Sequence, residues 1–103
     1  MHNQLSVVII SKNEEKFIAD AVESALFANE VLVLDSGSTD NTCTIAQEHG
    51  AKVLHQDWLG FGMQKNKAVE LASNDWVFVL DSDERITLEL QSELLSILKN
   101  PIA

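Results

Sequence analysis

Asp81 and Asp83 stand one residue apart, directly after the apolar run Val77-Phe78-Val79-Leu80, with Glu84 following. Such a run reads as a buried strand that delivers acids to its own tip. Two aspartates there can chelate one divalent cation from the same side and leave coordination sites open for a phosphate-bearing ligand. An Asp-x-Asp alone is a weak signal, and its place at a strand end is what gives it weight. A second acid occupies a comparable position, where Val31-Leu32-Val33-Leu34 runs into Asp35-Ser36-Gly37-Ser38. This turn can present Asp35 to a base or ribose while Ser38 closes a helix, or it can be an Asx-type turn. Lys65 begins a helix after Gly60-Phe61-Gly62, and its ammonium could reach a diphosphate; Lys67 reads equally well as a solvated helix residue. The glycine pair lacks the third Gly of a dinucleotide fingerprint and follows no strong strand, which argues against a Rossmann cofactor site.

The elements that must hold these groups alternate along the chain. Leu5 to Ile10 is continuous and β-branched, the pattern of a strand buried on both faces of a parallel sheet. Asn13 is placed to cap a first helix, which carries Phe17, Ile18, Ala21, Val22, Ala25 and Leu26 at helical spacing. Val31 to Leu34 is the second strand, and Ser38 or Thr39 is expected to cap a helix running to about His49, where Gly50 stops it. Lys52 to His55 is a short third strand, followed by a loop through Trp58 and a helix with Ala68, Val69, Leu71 and Ala72 on its apolar side. Trp76 to Leu80 is the fourth strand, and Thr87 is expected to cap a last helix that Asn100-Pro101 ends. The order βαβαβαβα predicts an α/β fold of three layers with a mostly parallel sheet and helices on both faces. Ligands of such sheets bind beyond the carboxyl ends of the strands, and there the sequence places Ser11 to Glu14, Asp35 to Ser38, Gln56-Asp57 and Asp81 to Glu84. Trp58 and Phe61 stand near the same edge, where an aromatic either shapes a pocket or simply packs.

Composition narrows the partners. The 103 residues suit one domain, and an apolar share of 46% fits a globular chain. Sixteen acidic against seven basic residues give a net charge of −9, which repels nucleic acid polymers and anionic lipid. A phosphate ester could approach only where helix N-termini or a bound cation reverse the local sign. Cys43 is the single cysteine, so no internal disulfide forms, and it reads as a small buried or half-buried side chain with no nucleophile logic. His2, His49 and His55 show no metal-ligand spacing. The apolar run near the start, Val7 to Ile10, is too short for a signal or a membrane span, and a cytoplasmic location is expected.

Taken in order, Ser6-Val7-Val8-Ile9-Ile10-Ser11-Lys12-Asn13-Glu14, Val33-Leu34-Asp35-Ser36-Gly37-Ser38-Thr39-Asp40 and Leu80-Asp81-Ser82-Asp83-Glu84 resemble the inverting family 2 glycosyltransferases of GT-A fold. The stretch Trp58-Leu59-Gly60-Phe61-Gly62-Met63-Gln64-Lys65-Asn66, with Asp75-Trp76, looks most like the branch that adds glucose to the inner core of bacterial lipopolysaccharide. The resemblance implies the strand order 3-2-1-4 and a nucleotide-sugar site containing Ser11, Asn13, Glu14, Asp35, Ser36, Lys65 and Asp81. Asp35 would read the uracil or ribose of a UDP-sugar, Glu14 would lie near the nucleoside, and Asp81 with Asp83 would hold the ribose and a Mg²⁺ or Mn²⁺ on the diphosphate. Many members have Pro and an aromatic before the Asn-Glu pair, where this chain has Ile10 and Lys12, and a second Asp where Ser36 stands.

The resemblance covers the donor-binding half alone, and the expectation is a truncated N-terminal part of a longer enzyme. No residue is assigned as the catalytic base, which an inverting transfer needs to deprotonate the acceptor hydroxyl. The expected behaviour is weak metal-dependent binding of a UDP-sugar, UDP-glucose foremost, without transfer. The parent enzyme would act on a glycan or lipopolysaccharide-core acceptor, peripherally at the inner face of the cytoplasmic membrane. An uncovered sheet edge would favour homo-oligomers. The rival expectation is a non-catalytic module that kept the fold and acts through nucleotide binding, protein contacts or dimerisation. A phosphotransfer receiver also suits the alternation, but no Lys stands at the later strand end that it would require.

Overall fold

The computed structural model describes residues 3–99. Four strands and four helices alternate: β1 (Leu5–Ser11), α1 (Ile18–Ser24), β2 (Glu30–Asp35), α2 (Thr42–Glu48), β3 (Lys52–His55), α3 (Phe61–Leu71), β4 (Trp76–Asp81) and α4 (Leu88–Lys99). All strand pairs are parallel, as the alternation predicts, and the order is β3-β2-β1-β4, as the resemblance implies. Register brings Ser11 beside Asp35 and Ile10 beside Asp81, so the tips of β1, β2 and β4 end at one level.

The period-2 geometry of a strand sorts the apolar residues into two cores. Leu5, Val7, Ile9, Val31, Val33 and Leu80 face a layer built on Ile18, Ala21, Val22 and Ala25 of the α1 region and Ala46 of α2, with Leu90 and Leu98 of α4 packed against it. Val8, Leu32 and Leu34 face the other way, onto Ala68 of α3, with Ile10, Leu54, Val77 and Val79 half-covered. One helix shields that second face, against three on the first, which is why its outer strands keep partial exposure.

Helix starts depart from the sequence expectation in two places. Asn13 does not cap α1. It adopts φ 53°, and its side-chain oxygen accepts the Thr39 amide at 2.8 Å, while α1 begins only at Ile18. Ser38 and Thr39 do not cap α2 either. Asp40 accepts the Thr42 amide at 3.0 Å and the Thr42 hydroxyl just before that helix. In both cases the expected capping side chains bind across the gap between two loops, which satisfies more orphan donors than a local cap would. Thr87 does cap α4, its hydroxyl accepting the Leu90 amide at 3.1 Å. The expected end of α4 at Asn100-Pro101 lies outside the described residues.

Candidate functional site

Parallel pairing sets the carboxyl ends of β1, β2 and β4 side by side, and the chain leaving each end supplies one wall of a cleft of about 460 Å³. β1 contributes Ile10, Ser11, Lys12 and Glu14, and β2 contributes Ser36. β4 delivers Asp81, Ser82 and Asp83, while the loop after β3 and the first turns of α3 add Trp58, Phe61 and Lys65. Two of the seven basic residues of this acidic chain, Lys12 and Lys65, therefore face the same hollow. Asp81 and Asp83 are exposed, and neither carboxylate is engaged in an ion pair or side-chain hydrogen bond among the described residues. The turn behind them is closed by backbone: the Glu84 amide donates to the Asp81 carbonyl at 2.9 Å, and the Glu84 carboxylate accepts the Asp81 amide at 3.3 Å. Glu84 is thereby a turn residue outside the cleft lining.

Of the residues singled out in the sequence, Ser11, Glu14, Ser36, Lys65, Asp81 and Asp83 meet in this cleft. Asp35 and Asn13 lie off its lining. Asp35 is 3% exposed beneath the floor and accepts four hydrogen bonds: Ser11 Oγ at 2.7 Å, Ser38 Oγ at 2.6 Å, and the amides of Ser38 and Gly37 at 2.7 and 3.0 Å. Burial pushes its carboxyl up, but the bonds from Ser38, Ser11 and Gly37 outweigh burial and hold it below the usual carboxylate range. Gly37, at φ 115°, supplies the left-handed backbone that lets two successive amides turn onto one carboxylate oxygen. Asn13 sits in an adjoining groove with Glu15, Lys16, Phe17 and Asp40. Together Asp35 and Asn13 lock the loops that carry Ser11, Glu14 and Ser36.

Lys12 and Gln64 escape a reading of motifs, whereas Trp58 and Phe61, expected either to shape a pocket or to pack, do both. Lys12 has no signal beyond its neighbours. Trp58 and Phe61 pack on each other edge to face, with centroids 4.9 Å apart, and both remain open to the cleft. Gln64 is fully buried, its side-chain oxygen accepting the Leu59 amide and its nitrogen donating to the Gln56 carbonyl, each at 3.1 Å. A polar residue at a helix position surrounded by exposed neighbours carries no hint of burial, so the sequence offered no route to it.

The donor set suits a small hard cation. Mg²⁺ and Mn²⁺ bind through one or two carboxylates with the remaining positions filled by phosphate oxygens and water. Asp81 and Asp83 supply two such carboxylates, and no group of three or more His, Cys, Asp or Glu that could hold a metal occurs among the described residues. A cation here would need a phosphate ligand to complete its shell.

The model of glycosyl transferase family 2 matches residues 6–102. The chain belongs to this family. A glycosyltransferase of Rickettsia felis is 46% identical over 92 residues, covering 88% of this chain and 32% of that protein. The lipopolysaccharide core biosynthesis glycosyltransferase LpsC of Rhizobium meliloti is 34% identical over 99 residues, covering 91% of this chain and 37% of its own length. The chain thus spans about a third of the relatives it matches. Among solved structures, Staphylococcus aureus TarS (residues 1–349) superposes with a TM-score of 0.78 at 27% identity, over 93% of this chain and 32% of TarS. Glucosyl-3-phosphoglycerate synthase of Mycobacterium tuberculosis, solved with Mn²⁺, UDP and glucosyl-3-phosphoglycerate, superposes with a TM-score of 0.71 at 29% identity, over 81% of this chain and 36% of the synthase. The family's GT-A architecture is the fold seen here, with the strand order that the resemblance implies.

Proposed function

We propose that residues 3–99 form the donor site of an inverting glycosyltransferase that takes a UDP-sugar with Mg²⁺ or Mn²⁺. The observation that carries this reading is the pairing of Asp81 and Asp83, unengaged at the tip of β4, with Lys65 across one cleft. Opposite charges arranged so would hold a metal-bound diphosphate: the carboxylates through the cation, the ammonium directly. The bound cation would stabilise the departing UDP as charge develops on it. Ser11, Glu14 and Ser36 would contact the nucleoside, with Asp35 and Asn13 acting from beneath by fixing their loops. Because Asp81 and Asp83 serve the donor, neither is assigned as the base that activates the acceptor.

The likeness to LpsC supports a lipopolysaccharide-core or similar glycan acceptor, and the synthase solved with UDP and Mn²⁺ supports the donor nucleotide and metal. Glucose is the proposed sugar. A lipid-linked acceptor would bring the protein to the inner face of the cytoplasmic membrane as a peripheral partner; no helix among the described residues is long and apolar enough to cross it.

Calorimetric titration of the chain with UDP and UDP-glucose, with and without Mn²⁺, tests the reading. Binding that requires Mn²⁺ is expected. Absence of UDP binding by the folded chain in both conditions would overturn it and favour a module acting through protein contacts.

A further inference from the structure

We infer that Trp58 and Phe61 form the stacking platform for the ligand's nucleobase, an inference that rests on the donor-site reading above. Phe61 is 75% exposed and Trp58 48% exposed, although both are large apolar rings in a cleft rather than on an open face. Their perpendicular packing leaves ring faces free for a planar group. The pair is also held in place. Buried Gln64 ties the Leu59 amide and the Gln56 carbonyl, one on each side of Trp58 in the chain, to the helix that carries Phe61. A rigid aromatic pair forms a binding surface at low entropic cost.

Position on α3 selects the base over the other parts of the ligand. Phe61 and Lys65 are four residues apart on one helix and both line the cleft, so their backbone positions lie just over one turn, ~6 Å, apart along the axis and on one face. A ribose separates a base from its phosphate by a comparable length. With Lys65 and the Asp81–Asp83 pair committed to the diphosphate, the base falls on the rings. The facing wall offers Ile10, Ser11, Lys12, Glu14 and Ser36, none of them aromatic, so stacking is available on the α3 side alone among the described residues.

The test compares UDP, UDP-glucose and inorganic pyrophosphate, each with Mn²⁺, on the wild-type chain, Phe61→Ala, Phe61→Leu and Phe61→Tyr. Phe61 is mostly solvent-exposed, so these variants are expected to fold as the wild type does. Loss of a base stack weakens binding by about tenfold or more. That loss is expected for UDP in Phe61→Ala and Phe61→Leu, with Phe61→Tyr close to wild type and pyrophosphate affinity unchanged throughout. In a Trp76→Phe background, UDP should quench Trp58 fluorescence and pyrophosphate should not. Equal UDP affinity in all four chains would overturn the inference while leaving the donor site standing. A loss seen with UDP-glucose but not with UDP would assign the rings to the sugar and overturn it as well. If the wild type binds neither UDP nor pyrophosphate, the donor-site reading itself falls, and the platform with it.

Discussion

Asp35 gathers Ser11, Gly37 and Ser38 onto one buried carboxylate, joining the end of β1 to the loop after β2. Replacing it by Ala leaves four donors without that acceptor, one buried and three part-buried, a loss of about 2–4 kcal/mol expected from urea unfolding. The same residue makes stability acid-sensitive. Its folded-state pKa is lowered, so its contribution is fully present above the unfolded value of about 4 and disappears as pH falls through the folded value. Glu30 and Asp40 are lowered too and add to the same acid limb. The difference in unfolding free energy between wild type and Asp35→Asn should therefore shrink as pH falls below about 4. A pH-independent difference would mean that the carboxylate's charge is not what the four donors require. Cys43 is inert by comparison: burial and the nearby Asp35 charge push its thiol up to about 11, which keeps it protonated at neutral pH.

At the scale of elements, the strands were legible because each is a run of β-branched and aliphatic residues ending in a polar cluster, and their parallel pairing follows from alternation with helices, whereas their order came only with the family resemblance. Ser11, Glu14, Ser36, Lys65, Asp81 and Asp83 were legible as cleft residues because they sit just beyond strand ends or in the first turns of a helix. Asn13, Ser38 and Thr39 were misread as to role, since a side chain able to cap its own helix is equally able to cap a loop distant in sequence, and only the fold decides. The α3 region shows what pattern alone misses. Gln64 ties the β3–α3 loop to its helix through two hydrogen bonds, and Gln64→Leu would strand the Leu59 amide and the Gln56 carbonyl. A stability loss of about 1–3 kcal/mol is expected, together with weaker UDP binding, because the loop bearing Trp58 would lose its anchor. Unchanged protection of the Leu59 amide in hydrogen exchange would contradict that role.

For the molecule as a whole, the acidic balance and a cleft lined by two lysines describe a surface that rejects anions except where a cation bridges them. The apolar residues are less evenly hidden. Leu88, Leu95 and Ile97 of α4 are exposed, and β4 pairs on one side only among the described residues. Concentration-dependent self-association is expected in sedimentation velocity, and a monomer at every concentration would show that these surfaces do not drive contact between copies. The central claim concerns β4's tip, and the most direct measurement is calorimetry of UDP with Mn²⁺ on the Asp81→Ala, Asp83→Ala double variant beside the wild type. Both side chains are exposed, so the thermal midpoint should stay within a few degrees, while the Mn²⁺-dependent part of UDP binding should vanish. A folded double variant that binds UDP and Mn²⁺ as tightly as the wild type would contradict the assignment of this cleft as a metal-dependent donor site.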